Sequence, residues 1–172
     1  GQYLVDADKF TTSTQSFFGV WDDGTKELTT SNLVQQTFET GFASNVRVLT
    51  NNTVPYDGTG SAKRNGWYID LPTSGERVNT QASFKNGHIF FNTMIPSSNP
   101  CDYGGSGWLM TADYLDGSRP DGPVYDRTKN NSVGQEDTVT NVDGSLSKVA
   151  PNGLQFDKGI PAKPAFLEDY LY

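Results

Sequence analysis

Residues 66–117 constrain the fold of this chain most, because their pattern indicates a β-hairpin between two similar aromatic strands. Residues 78–85 alternate apolar and polar side chains, and this period of two is typical of a half-buried strand. The dipeptide Asn86-Gly87 then predicts a type I′ turn, in which both central residues need positive φ angles. Residues 88–95 are apolar on both faces, so we expect a strand that is covered on both sides.

One short pattern occurs three times: an aromatic strand with a tryptophan, followed by an acid and a glycine turn. The tryptophans are Trp21, Trp67 and Trp108, so the copies are 46 and 41 residues apart. A repeat of about 40 to 50 residues is typical of β-propeller blades, each of which is a small sheet. The sequence therefore predicts an all-β fold built of antiparallel blades of a β-propeller. Three copies are too few for a closed ring, so we expect this chain to hold an incomplete propeller.

Composition agrees with many short strands joined by turns. Only 34% of the 172 residues are hydrophobic, and the chain has 18 glycines and 9 prolines. We expect residues 1–172 to form part of one propeller domain, with a polar inter-blade insertion at about 118–153. Further strands are predicted at 3–5, 46–50 and 154–156, and a short helix or strand at 28–37. The apolar strand pattern is still running where the chain stops, so we expect a piece of a larger domain.

Charge and apolar content exclude two classes of partner. The formal net charge of −7 argues against nucleic acid, because binding to the phosphate backbone needs a basic patch. No apolar run approaches the roughly 18 residues that a membrane-spanning helix requires. The single cysteine, Cys101, cannot form a disulfide within this chain. It is either a buried thiol or the partner of a cysteine outside this sequence.

The residues offer little basis for catalysis, and we expect no enzyme activity. The single histidine, His88, falls in the hairpin strand, where a packed strand residue is the expected role. One histidine and one cysteine do not make a zinc site. The glycine run at 104–107 precedes a strand rather than a helix, so it lacks the context of a phosphate-binding loop. Acids beside turns are expected to cap backbone groups; such pairs are Asp6/Asp8, Asp22/Asp23 and Glu168/Asp169.

Residues 126–137, which we call the 126–137 loop, fit two interpretations: a calcium site of low affinity, or a solvated polar loop that has kept the shape of one. Oxygen-bearing side chains at alternate positions, followed by a distant acid, are typical of loops that wrap Ca²⁺. Asn131 stands where such loops usually carry glycine, and Arg127 and Lys129 lie between the expected ligands. The candidate ligands are Asp126, Thr128, Asn130, Ser132 and Asp137.

Several motifs in a fixed order resemble the C-terminal propeller of the PilC/PilY family, large proteins associated with the tip of bacterial type IV pili. The motifs are TQSFFGVWD at 14–22, GWYIDLP at 66–72, GERV at 75–78, IPSSNPC at 95–101 and GGSGWL at 104–109. The resemblance implies a modified β-propeller with roles in pilus assembly, in opposing retraction and in adhesion. It also implies a place at the cell surface or pilus tip, reached through the periplasm. The implied partners are minor pilins or other tip subunits, and host or abiotic surfaces.

The same resemblance places a calcium-binding loop, linked in the family to control of retraction, at Asp126 and the residues after it. Asp126, Thr128, Asn130 and Ser132 match its ligand positions. Gly134 departs from the family pattern, because it stands at the ninth loop position, where the family usually has an acid.

Two other functions are compatible with the sequence. A fragment of a quinoprotein-type propeller dehydrogenase would share the blade pattern, but it would need a bound cofactor, a metal and usually a vicinal cysteine pair. A secreted carbohydrate- or surface-binding module would use exposed tryptophan or tyrosine side chains.

Overall fold

A computed structural model describes residues 6–24, 27–97, 99, 104–156, 158–167 and 170–171. Cys101, the strand predicted at 3–5 and the acid pair Glu168/Asp169 lie outside the described residues. Within them the chain is all-β, and the only helices are short 3₁₀ turns at Asp6–Phe10, Thr30–Asn32, Gly60–Ala62 and Gln135–Asp137. The strands are β1 Ser16–Val20, β2 Val34–Gln36, β3 Val46–Arg47, β4 Gly66–Asp70, β5 Ser83–Lys85, β6 His88–Pro96, β7 Gly105–Asp113, β8 Gly153–Phe156, β9 Phe166–Leu167 and β10 Tyr170–Leu171.

The described strands form separate open sheets. One has the order β1-β4-β2, a second has the order β3-β8-β7-β6-β5, and β9 pairs with β10. All pairings are antiparallel except that of β2 with β4, which is parallel. The prediction of antiparallel sheets is confirmed for the other pairs, and the β2–β4 pair departs from it. The chain between β2 and β4 is long enough to return in the same direction, which a parallel pairing requires.

The hairpin at the centre of the chain forms as predicted. Asn86 and Gly87 have φ angles of 50° and 79°, and they join β5 to β6. Of the residues predicted as a strand at 78–85, only Ser83–Lys85 pair with β6, so this strand is shorter than predicted. Strand β6 is buried on both faces, as its apolar pattern indicated. The region 28–37 divides into a 3₁₀ turn and strand β2.

The core lies between the two larger sheets. The rings of Phe17 from β1 and Phe91 from β6 stack with their centroids 3.9 Å apart. Trp67 of β4 is fully buried beside them, and its indole N–H donates to the carbonyl of Tyr114 at 3.2 Å. Trp67 and Trp108 therefore occupy different sheets of one core. Trp21 follows the end of β1 and is exposed, so the copy of the repeat that contains Trp21 does not have an equivalent place.

The other face of the five-stranded sheet is covered by the polar region after β7. From residue 118 to 152 this region has no strand of its own, apart from a bridge between Val139 and Val149. Tyr125 packs its ring edge-on against Phe90 of β6, 6.3 Å away. This cover explains why β6 is buried on both sides. The described residues contain no helix with the length and apolar character needed to cross a bilayer.

Candidate functional site

The 126–137 loop is held by its own carboxylates. The two oxygens of Asp126 accept hydrogen bonds from the backbone amides of Asn130 at 3.1 Å and Asn131 at 2.8 Å. The side-chain oxygen of Asn130 accepts the amide of Ser132 at 2.8 Å. Three of the predicted ligands thus belong to one hydrogen-bonded turn at the start of the loop.

Asp137 closes the other end of the loop. Its two oxygens accept the amides of Thr128 at 2.8 Å and Gly134 at 3.0 Å, and its side chain is fully buried. Burial by itself raises the pKa of Asp137, but the hydrogen bonds from Thr128, Gly134 and Arg127 outweigh it and hold the pKa below its ordinary value. The carboxylate is therefore a charged group satisfied by backbone amides.

The loop has further signs of a tightly wrapped conformation. Asn131 adopts the left-handed region with φ at 65°, which asparagine tolerates better than most residues, and Lys129 does so with φ at 59°. The guanidinium of Arg127 donates to backbone carbonyls of Glu136 and Thr138 at 3.4 and 3.3 Å. Arg127 therefore ties the chain on both sides of Asp137.

The loop is anchored to the sheet through Tyr125. The Tyr125 hydroxyl donates to the backbone carbonyl of Asn152 at 3.2 Å, and the ring is buried. Burial raises the pKa of Tyr125 well above its ordinary value. A cavity of about 630 Å³ is lined by Asp126 and Val133 of the loop and by Leu109 and Leu154 of the sheet.

The oxygen-bearing side chains of the loop are of the kind that calcium binds. Each carboxylate oxygen of Asp126 and Asp137 accepts one amide and keeps a further lone-pair direction, so the hydrogen bonds leave acceptor capacity for a hard cation. In the described part of the chain, no group of three or more His, Cys, Asp or Glu side chains is placed to hold a metal. The predicted ligand set thus contains two acids, and the affinity for calcium would be low.

The residues that were weighed for catalysis or ligand binding have roles in the strands and turns of this fold. His88 begins β6 and lies between Lys85 of β5 and Asp113 of β7 in the strand register. Asp22 accepts the amide of Gly24 at 2.8 Å, which is the capping role expected of it. In the glycine run, a Cβ at Gly105 would overlap the carbonyl of Ile95, so the run permits close approach of β6 and β7.

The chain is similar to proteins of type IV pilus biogenesis. No family model matches the chain. The type IV pilus biogenesis factor PilY1 of Pseudomonas aeruginosa PAO1 is 29% identical over 182 aligned residues, covering 93% of this chain and 15% of that protein. The PilY1 homolog of Xylella fastidiosa Temecula1 is 26% identical, covering 96% of this chain and 12% of that protein. The resemblance to the PilC/PilY family is confirmed. This chain spans only about an eighth to a seventh of the length of these PilC/PilY relatives.

The fold has a counterpart among solved structures. The crystal structure of the C-terminal domain of Pseudomonas aeruginosa PilY1 superposes with a TM-score of 0.74 at 24% identity. The match covers 98% of this chain and 37% of that structure. The all-β architecture is thereby confirmed, whereas the closure of the sheets into a propeller stays a prediction.

The structure also shows the role in the fold of the GERV motif at 75–78. In the motif at 75–78, Glu76 and Arg77 are both buried charges. The carboxylate of Glu76 forms an ion pair with Arg47, and Arg77 donates to the carbonyl of Gly75 at 2.9 Å. The two adjacent charged residues of this motif were the signal in the sequence for a buried ion pair, because charged side chains are rarely buried without partners.

Proposed function

We propose that this chain is a segment of a type IV pilus biogenesis factor that acts without catalysis in pilus assembly, control of retraction and surface adhesion, and that it forms part of a modified β-propeller. The observation that carries the proposal is the alignment of 93% of the chain with a PilY1 protein at 29% identity. The protein would act at the cell surface or pilus tip, with minor pilins or other tip subunits as partners.

A segment exchange tests this role. The corresponding segment of the Pseudomonas aeruginosa PilY1 is replaced by this chain, and surface pili are counted in cells with and without an active retraction motor. We expect the exchanged protein to restore pili in both backgrounds. Restoration only without the motor would separate assembly from opposition to retraction. No pili in either background, from an exchanged protein that accumulates to normal levels, would refute the proposal.

We further propose that the 126–137 loop binds calcium weakly through Asp126, Thr128, Asn130, Ser132 and Asp137. The support is the oxygen-rich turn closed by two carboxylates, together with the left-handed Asn131 at the sixth loop position. Bound Ca²⁺ would offset the negative charge of the loop and cross-link its two ends, because a cation of this kind needs six to eight oxygens.

Thermal unfolding of the full chain with and without millimolar CaCl₂ tests the calcium site. A ligand that binds only the folded state raises the midpoint, so we expect stabilisation by Ca²⁺ and little by equal MgCl₂. Asp126→Ala should remove the calcium effect. Asp143→Ala is the matched control, since Asp143 is an acid in a neighbouring turn where it accepts the amide of Ser145 at 2.9 Å. Equal calcium stabilisation of the wild type and Asp126→Ala would exclude the site.

A further inference from the structure

An apolar groove opens where the core between the two larger sheets reaches the surface. Its volume is about 710 Å³. On one side it is bounded by the end of β1 and by the residues that follow, and on the other by β5 and the turn after β7. The side chains that define it are Val20, Trp21, Tyr56, Phe84, Tyr114 and Leu115.

The groove concentrates exposed aromatic surface. Phe84 is 64% exposed, and Trp21 and Tyr114 are each 47% exposed. The rings meet in edge-on pairs: Phe84 lies 5.6 Å from Tyr114, and Trp21 lies 5.6 Å from Tyr56. Contiguous apolar surface of this kind is typical of an interaction site, whereas singly scattered apolar residues are ordinary.

Three acidic residues adjoin the lining residues of the groove in the chain. Asp113 and Asp116 flank the lining residues Tyr114 and Leu115 in the chain, and Asp57 is an exposed neighbour of Tyr56. The hydroxyl of Tyr56 donates to the carbonyl of Leu115. Burial, followed by the charges of Asp116 and Asp113, raises the pKa of Tyr56, which lines the groove.

One ammonium group of this chain already lies over an aromatic ring of the groove and beside a carboxylate. The Nζ atom of Lys63 lies 5.0 Å from the centroid of the Trp21 ring and 2.9 Å from a carboxylate oxygen of Asp23. A cation over an aromatic face beside a carboxylate is stabilised by both groups.

The strands beside the groove favour an extended partner. In the described part of the chain, β1 ends the three-stranded sheet and β5 ends the five-stranded sheet. Each therefore has hydrogen-bonded strand pairing on one side only. An extended segment can add to such an edge through main-chain hydrogen bonds while alternate side chains enter an adjacent pocket.

We propose that this groove binds an extended polypeptide segment of a partner protein in which apolar side chains alternate with lysine or arginine. The apolar side chains would fill the space between Phe84, Trp21 and Leu115. The cationic side chains would meet the carboxylates of Asp113 and Asp116. A saccharide fits less well, because the lining is almost wholly apolar and the Tyr56 hydroxyl is already bonded to Leu115.

Synthetic peptides test the proposal on the full chain. The probe is a short peptide in which lysine alternates with leucine; one comparison peptide replaces lysine by glutamate, and another replaces leucine by serine. Binding is followed by tryptophan fluorescence, because Trp21 is exposed whereas Trp67 and Trp108 are buried. We expect both comparison peptides to bind at least about tenfold more weakly, and added salt to weaken the lysine-leucine peptide.

Two substitutions locate the site. Phe84→Ser should weaken binding of the lysine-leucine peptide about tenfold, as loss of an aromatic contact residue usually does. Phe10→Ser is the matched control, because Phe10 is 70% exposed and does not line the groove, and it should bind as the wild type does. Asp113→Asn keeps an oxygen for the amide of Leu115, which Asp113 accepts at 2.8 Å, and should weaken binding through charge alone.

Several results would overturn the proposal. Equal binding of the lysine and glutamate peptides would remove the role of charge, and unchanged binding by Phe84→Ser would place the site elsewhere. Binding of an oligosaccharide in place of the peptide would make the groove a glycan site. Self-association of the chain that Phe84→Ser abolishes would make a second copy the occupant.

Discussion

The guanidinium of Arg47 and the carboxylate of Glu76 form a buried, two-pronged ion pair, with N···O distances of 2.6 and 2.8 Å. Arg47 belongs to β3, whereas Glu76 lies in the segment between β4 and β5. The hydroxyl of Thr93 in β6 also donates to Glu76. The guanidinium lies 3.8 Å from the ring centroid of Trp108. This pair therefore links three separate parts of the chain inside the core.

Removing one charge of this pair should be severely destabilising. Glu76→Gln leaves the guanidinium of Arg47 buried with no countercharge, and breaking a buried pair in this way costs about 3 to 5 kcal/mol. The loss should appear as a lower midpoint in urea unfolding. Replacing both members, as in Arg47→Met with Glu76→Gln, should recover part of this loss because no unpaired charge remains.

A second ion pair provides the control. Glu39 lies 4.0 Å from Arg119, and both side chains are partly exposed. Glu39→Gln should cost less than about 1 kcal/mol, as is usual for surface pairs. If Glu76→Gln and Glu39→Gln were equally mild, the buried pair would not be a stabilising link in this protein.

The two glycines that face the Trp67 indole should not tolerate a side chain. A Cβ at Gly19 or Gly117 would overlap the indole of Trp67. Gly117→Ala also has to adopt a φ of 74°, which costs a residue with a Cβ about 1 kcal/mol or more. We expect a total loss of about 2 to 4 kcal/mol in the free energy of unfolding, since overpacking adds about 1 to 3 kcal/mol.

Gly144 separates the two causes. Its φ is 73°, close to that of Gly117, but a Cβ there would have no atom within 4 Å. Gly144→Ala should therefore show the backbone cost alone, about 1 kcal/mol. Gly19→Ala should show the overlap alone, because Gly19 does not have a positive φ. Equal effects of Gly117→Ala and Gly144→Ala would contradict close packing against Trp67.

Asp137 should make the protein sensitive to acid. Its pKa is lowered in the folded state, so its ionised form contributes stability above the unfolded pKa, near 3.8. This contribution is lost as the pH falls through the lower folded pKa. Urea unfolding at stepwise lower pH should show wild type and Asp137→Asn far apart at neutral pH and converging in strong acid. A gap that stays constant to about pH 2 would contradict the assignment.

The buried side chain of Asn152 should be required for the stability of the folded protein. Its buried amide accepts the N–H of Leu49 at 2.7 Å and donates to the carbonyl of Thr111 at 2.9 Å. Asn152→Ala leaves these backbone groups without a partner, at a cost of about 1 to 3 kcal/mol each. Asn45→Ala is the control, because Asn45 is exposed, and should change stability by less than about 0.5 kcal/mol. Equal unfolding midpoints for the two variants would exclude the role of Asn152.

Much of the local structure was predictable from the sequence because it depends on neighbouring residues. The turn at Asn86 and Gly87, the doubly buried strand β6 and strand β8 follow from short-range patterns and turn chemistry. The oxygen spacing of the 126–137 loop likewise marked the residues that its carboxylates gather. The binding of calcium there stays a prediction.

Tertiary structure decided what depends on residues far apart in the chain. The parallel pairing of β2 with β4, the exposure of Trp21 and the shortening of the strand before Asn86 have no signal at short range. The same holds for Glu76, whose partner Arg47 is distant in sequence, and for the groove beside Phe84, whose walls come from separate sheets. Sequence alone determined where strands and turns form, because steric and hydrogen-bonding preferences are local. Only the fold decided which polar groups could be buried in pairs and which aromatic rings stay exposed, because burial depends on every segment that packs nearby.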